Sequence, residues 1–193
     1  RTQHTGVVNR LDLETRRTAL AKVRDTLGRR ERLWPVNRLD RETSGVLLFA
    51  RSREVREAVQ SGWSEATKTY LAVVEGHPEP AEGLIDQPLW QDNSLNVHVG
   101  HHPKAREART RYRTRSHHGG RALLEVSLLT GRQHQIRVHL AWLGHPVLGD
   151  PRYGTAGPRL GLHALRLELE HPRTRERLAL EAEVPEAFHS LLR

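Results

Sequence analysis

The chain has no cysteine. Disulfides, thiolate metal ligands and a cysteine nucleophile are therefore excluded, and a reducing, cytoplasmic setting is expected. Methionine is absent too, so Arg1 is not an initiator and a truncated N-terminus is expected. No apolar run approaches the roughly eighteen residues of a membrane span, and no secretory leader pattern opens the chain, so no membrane partner is expected. Gly-x-Gly-x-x-Gly and Walker-type loops are missing, which argues against a nucleotide cofactor. Ser44 stands in Thr43-Ser44-Gly45 and not in a Gly-x-Ser-x-Gly elbow, which argues against a serine hydrolase. Lysine is scarce: Lys22, Lys68 and Lys104 are the whole complement, and arginine supplies the rest of 31 basic residues.

What is present is a 193-residue chain of formal charge +8. That length is enough for one domain with a proper core. The planar arginine fork suits phosphate and base edges. A GC-rich genome would produce the same bias toward arginine. The net charge is the better signal, because a basic protein of this size most often meets a polyanion, usually nucleic acid.

The pattern predicts a compact α+β domain with a mixed, largely antiparallel sheet flanked by helices. Thr15 caps a predicted helix carrying Ala19, Leu20, Val23 and Leu27, which ends at Gly28. Residues 46–50 read as a buried strand. Ser52 caps a second predicted helix with Val55, Ala58, Val59 and Trp63 inward. Residues 68–75 alternate as a strand, Tyr70, Ala72 and Val74 on one face and Leu71 and Val73 on the other. Residues 123–129 form another strand, and 130–132 a turn. Residues 133–143 read as a helix with Ile136, Leu140 and Leu143 inward, closed by Gly144 and Pro146. Residues 160–168 and 178–184 give late strands.

Residues 109–115 alternate strictly, with Arg109, Arg111, Arg113 and Arg115 on one face. Same-face residues lie roughly 6–7 Å apart, close to the pitch of a nucleic-acid backbone. Arg109, Arg111 and Arg113 are thus candidate RNA contacts. The competing reading, slightly favoured, is a charged face that keeps a sheet edge from pairing wrongly.

Thirteen histidines invite a metal hypothesis. His134 and His139 are five apart, about 140° around a helix, and no acidic partner recurs at ligand spacing. No metal is expected. One carboxylate, several arginines and a tyrosine remain. Asp40 beside Arg38 stays ionised, because the opposite charge favours the carboxylate, and an ionised aspartate can act as a nucleophile. A structural Asp–Arg pair fits the same spacing.

At this point the residues resemble a known family. Asn37-Arg38-Leu39-Asp40-Arg41-Glu42-Thr43-Ser44-Gly45 and Leu47-Leu48-Phe49-Ala50 look like the catalytic-aspartate motif of RluA-type pseudouridine synthases. Lys68-Thr69-Tyr70-Leu71-Ala72-Val73-Val74-Glu75-Gly76 is similar to their tyrosine motif, and Thr130-Gly131-Arg132-Gln133-His134-Gln135-Ile136-Arg137-Val138-His139-Leu140 to their arginine motif. Gly144 to Asp150, Tyr153-Gly154, Leu162-His163-Ala164 and His171-Pro172 continue the match in order.

The resemblance implies conversion of uridine to pseudouridine in structured ribosomal or transfer RNA, without cofactor or metal. The family breaks the glycosidic C–N bond, rotates the uracil and joins C5 to the sugar. Carried over, Asp40 is the catalytic carboxylate, either attacking the sugar or promoting a glycal. Arg137 would hold Asp40 ionised. Tyr70 would stack beneath the uracil and help remove the C5 proton. Arg38 would enter the RNA stack and help expel the base, which costs a few kcal/mol. Asn37 stands where the family usually has histidine, so its RNA contact differs. The expected organisation is one catalytic domain over residues 1–193, with no S4-type RNA-binding domain and a monomeric state. Val8-Asn9-Arg10-Leu11-Asp12-Leu13-Glu14-Thr15 nearly repeats residues 36–43 but leads into an arginine-rich segment, so a second site is not expected. The competing function is a non-catalytic RNA-binding module using the basic surface.

Overall fold

The computed structural model describes residues 19–27 and 32–193. The near-repeat at 8–15, the Thr15 cap and the Gly28 stop lie outside the described residues. In chain order the elements begin α1 (Ala19–Leu27), β1 (Trp34–Pro35), β2 (Ser44–Gly45), β3 (Phe49–Ala50), α2 (Arg53–Ser61) and β4 (Thr67–Glu75). They continue β5 (Glu82–Asp86), β6 (Leu89–Gln91), β7 (Val97–Val99), β8 (Arg109–His118) and β9 (Arg121–Leu128). Then come α3 (Gln135–Trp142), β10 (Leu162–Glu170), β11 (Arg177–Glu181), α4 (Glu186–His189) and a final 3-10 turn, Ser190–Leu192. The pairs β1–β3, β4–β9, β5–β8, β6–β7, β8–β9 and β10–β11 are all antiparallel, as the α+β reading expected. Among the described residues no helix is long and apolar enough to cross a membrane. The chain divides into two compact units, one running to Thr67 and including Ala164–Glu183, the other Lys68–His163 with Val184–Arg193.

The first unit builds its core from Val36, Val46, Ala50, Val59, Ala66, Leu167, Leu169 and Ala182. Ser52 starts α2 as expected: its hydroxyl accepts from the Val55 N–H at 3.2 Å, satisfying one orphan donor of the first turn. Val59 is buried and Val55 and Trp63 pack beside it, whereas Ala58, expected inward, is exposed.

The expected strand over 46–50 is broken. Of that span only β3 is regular strand; 46–48 runs as irregular chain between β2, which precedes the span, and β3. Two local causes account for the break. Gly45 has φ +123°, a conformation that side-chain-bearing residues rarely adopt. The Asn37 amide then takes the place of a neighbouring strand, donating from Nδ2 to Val46 O at 3.2 Å and accepting from Leu48 N at 2.7 Å. A methyl group on Gly45 would sit 2.2 Å from the carbonyl oxygen of Ala164. Gly45→Ala is therefore expected to destabilise the protein by about 3 kcal/mol or more, from strain and overlap together, as read by denaturant unfolding. A loss below about 0.5 kcal/mol would show that this turn relaxes freely.

The second unit is a sheet in the order β4–β9–β8–β5. Strand β4 explains its own apolar run. Tyr70, Ala72 and Val74 face a core with Ile85, Tyr112, Leu124, Val126 and the α3 residues Ile136 and Leu140. Leu71 and Val73 face the other way, against Leu123, Phe188 and Leu191. A strand covered on both faces reads as continuously apolar. Phe188 is 1% exposed, and burial of such a side chain contributes about 1.5–3 kcal/mol.

Strand β8 lies inside this sheet, between β9 and β5. The sheet-edge explanation for its arginines is thus corrected: they line the solvent face of an internal strand, while Thr110 and Tyr112 point into the core. Helix α3 begins at Gln135, two residues later than expected, because His134 adopts φ +52° and cannot belong to a right-handed helix.

Candidate active site

The loop carrying Asp40 is shaped by its backbone. The Asp40 carbonyl accepts from Thr43 N at 3.0 Å, closing a turn, and the Asn37 bridge fixes the chain on its far side. Asp40 is half-buried and Arg38 exposed. The Asn37 amide is engaged with the main chain, so its visible use is to shape this loop. Arg38, Asn37 and Asp40 all belong to the first unit.

Tyr70, Arg137, Arg109, Arg111 and Arg113 belong to the second unit. Tyr70 sits half-buried on β4 opposite Val126. Its neighbour Lys68 is 9% exposed, and burial lowers the pKa of its ammonium. Arg137, on α3, is 4% exposed. A buried guanidinium needs a partner, and Asp150 supplies it. Asp150 Oδ2 accepts from Arg137 Nε at 2.7 Å and Oδ1 from Nη2 at 2.8 Å. Asp150 Oδ1 also accepts from the backbone N–H of Arg152 and Tyr153, at 2.9 and 3.1 Å. Burial alone would raise the Asp150 carboxyl, but the Arg137 fork and these N–H groups outweigh it and hold the pKa below the ordinary range.

Asp150 reaches this position because Gly149 turns at φ +74° and lets the chain pass Arg159, whose carbonyl oxygen would lie 2.0 Å from an added methyl group. The Tyr153 ring lies 5.3 Å from the Arg137 guanidinium carbon, close enough for a cation–π contact. Its hydroxyl is 2.8 Å from His134 Nδ1 and accepts from Val97 N at 3.3 Å. Burial pushes the Tyr153 phenol up.

The start of α3 is locked by a second buried network. Gln135 Oε1 accepts from the Thr130 hydroxyl at 2.8 Å and from Arg132 N at 2.9 Å. Its Nε2 donates to Arg109 O and Thr110 Oγ1, both at 3.0 Å. His139 closes the chain, with Nδ1 2.7 Å from Thr110 Oγ1 and Nε2 3.0 Å from Gln87 O. A carbonyl only accepts, so Nε2 carries the proton and the Thr110 hydroxyl donates to Nδ1. Burial lowers the His139 pKa, in keeping with this neutral form. His139 is thus a satisfied core histidine. The network fixes the turn of helix from which Arg137 projects.

Asp150, Tyr153 and Gln135 were missed as working residues. All three stand in the sequence only as members of the family motifs. The available signal was Gly149-Asp150 placed shortly after a helix carrying an inward-facing arginine. The arginine face of β8 is partly neutralised. Arg109 pairs with Glu107 at 2.8 Å, and Arg113 and Arg115 both meet Glu125.

The family model described as RNA pseudouridylate synthase matches residues 4–142. An uncharacterized RNA pseudouridine synthase of Chloroflexus aurantiacus is 41% identical over 165 residues, 82% of this chain and 52% of that protein. The ribosomal large subunit pseudouridine synthase C of Vibrio cholerae is 36% identical over 159 residues, 76% of this chain and 50% of its own length. The ribosomal large subunit pseudouridine synthase D of Nitrosomonas europaea is 36% identical over 171 residues, 81% of this chain and 49% of its own. The chain thus spans about half the length of these curated relatives. Among solved structures, human RNA pseudouridylate synthase domain containing 1 superposes with a TM-score of 0.74 at 26% identity, over 87% of this chain and 74% of that one. The ordered aspartate, tyrosine and arginine motifs, the antiparallel α+β fold and these matches lead to one assignment: the chain belongs to the RNA pseudouridylate synthase family, in its RluA-type branch.

Proposed function

We propose that the chain isomerises uridine to pseudouridine in structured RNA, ribosomal or transfer, as a cytoplasmic monomer. The reaction breaks C1′–N1 and forms C1′–C5; the C5 proton leaves and N1 gains one. Reactant and product are isomers, so the chemistry consumes no co-substrate, and no metal or cofactor is assigned. Asp40 is the carboxylate that attacks the sugar or promotes the glycal. Arg137 is assigned as the catalytic arginine of the reaction. Tyr70 stacks on the uracil and assists loss of the C5 proton. Arg38 fills the RNA stack vacated by the flipped base, offsetting part of the unstacking cost.

The observation that supports this reading best is the buried Arg137–Asp150 pair. A buried ion pair contributes little net stability over apolar packing of the same volume. Its expense is explained when the guanidinium has work to do, and perturbed ionisable pairs concentrate at such sites. Incubating the chain with unmodified ribosomal and transfer RNA transcripts and mapping pseudouridine by reverse-transcription stops tests the proposal and identifies the substrate. Tight, salt-sensitive RNA binding without product would instead favour the non-catalytic binding module.

Phosphate contacts are assigned to the outer face of β8. Replacing Arg111 and Arg113 together by glutamate is expected to weaken RNA binding and to lower the salt slope by up to about two, one per lost phosphate contact. Because Arg113 already pairs with Glu125, at 3.5 Å, Arg111 should account for the larger share. Unchanged affinity at low salt would return both residues to a purely structural role.

A further inference from the structure

The β6–β7 hairpin carries a feature that the proposed reaction does not use. The Trp90 ring stacks on His98 at 4.6 Å and 28° between planes, and on His102 at 4.1 Å and 15°. Trp90 and His98 are register partners across the hairpin, so cross-strand pairing explains their contact. It does not explain His102, which comes from the loop beyond β7. His102 is set there by a bond from Lys104 N to its Nδ1 at 3.1 Å, and His98 by a 2.9 Å contact with Asp92 Oδ2. His98 and His102 are both exposed.

The hairpin tip is equally unusual. Leu95 is 60% exposed and has φ +63°, a region that leucine seldom occupies. The strained turn is pinned, since the Leu95 carbonyl accepts from Gln91 Nε2 at 3.2 Å and from Arg152 Nη1 at 3.0 Å. Backbone strain that its surroundings hold in place is a mark of function. Exposed Lys104 and Arg106 follow the stack, and Arg152 stands at the tip, against one carboxylate of the hairpin, Asp92. The hairpin is also joined to the Arg137 centre, because Val97 N donates to the Tyr153 hydroxyl.

We propose that this hairpin is a base-stacking platform. It receives one unpaired base of the substrate RNA on the His102 imidazole of the Trp90 stack, with Leu95 as an apolar wedge at the tip. Exposed rings bind any base through its π-face, and adjacent cations hold the phosphates on either side. The inference rests on the RNA reading above and deepens it.

The test uses the whole chain and a short hairpin RNA whose unpaired loop carries 2-aminopurine, a base whose fluorescence falls on stacking. The wild-type protein is expected to quench the probe. Trp90→Ala with His102→Ala should abolish quenching and weaken binding about tenfold, the loss of one stacked base, with the salt slope unchanged. Trp90→Phe keeps a ring and should keep the quench. Leu95→Ser, at an exposed position, probes the wedge without touching the stack and should weaken binding severalfold. Wild-type quenching and affinity in both the double variant and Leu95→Ser would overturn the proposal. Pseudouridine formation is followed on the same RNA. Product with undiminished binding of the variants sinks this inference alone, whereas binding without product by wild type sinks the catalytic reading and leaves the platform standing.

Discussion

Asparagine at position 40 is expected to slow uridine conversion by at least about a thousandfold, about 4 kcal/mol of lost transition-state stabilisation. The substitution keeps the shape of the side chain and removes its charge. An amide is neither a competent nucleophile at a sugar carbon nor a negative centre beside a developing cation. The loop should keep its form, because its closing bond is made by the main chain of residue 40 to Thr43. RNA affinity is therefore expected to stay within a factor of two or so while single-turnover rate collapses, which separates chemistry from binding. Asp12→Ala is the matching control. Loss of turnover there, with retention in Asp40→Ala, would move the reactive carboxylate to the near-repeat.

Removing the carboxylate of Asp150 should be the most damaging single change to stability. Asp150→Ala leaves the Arg137 guanidinium buried without the partner that takes Nε and Nη2, and strands the N–H groups of Arg152 and Tyr153. Breaking a buried pair from one side costs about 3–5 kcal/mol. For a chain of this length that lowers the melting temperature by about 10 °C. Activity should fall as well, because Arg137 loses the clamp that aims it. The pair also sets a pH dependence. The folded-state pKa of Asp150 lies below its ordinary value, so its contribution to stability is fully present above about pH 4 and fades as pH falls through the folded-state value. The stability gap between wild type and Asp150→Asn should accordingly be widest near neutral pH and narrow in acid. A gap that stays constant from pH 7 to pH 3 would mean the carboxylate is not the stabilising species.

Much of this was written locally in the chain. The two-faced burial of β4, the Ser52 cap and the inward stripe of α3 follow from short-range pattern and turn chemistry, and the structure carries all three. Three of the misses depend on contacts between segments that are apart in the sequence. The interior position of β8 depends on which strands flank it, and no alternation of Thr, Tyr and Arg encodes that. The break at Val46 depends on an amide nine residues earlier, at Asn37. Asp150 looked like one more acidic loop residue until the fold delivered Arg137 to it. The β6–β7 hairpin went unread because strands of three residues hold too little periodicity to register. Motif order, by contrast, survives without three-dimensional knowledge, which is why the family was legible and the arginine's clamp was not.

The most direct measurement is tritium release from RNA labelled at C5 of uridine, with the wild-type chain in stoichiometric amount. Forming a C1′–C5 bond must expel the C5 hydrogen, so the account predicts release into water of one tritium per modified site, matched by an equal yield of pseudouridine, and none with Asp40→Asn. RNA that is bound by the wild-type chain yet retains all its label, or label lost equally from the Asp40→Asn reaction, would contradict it.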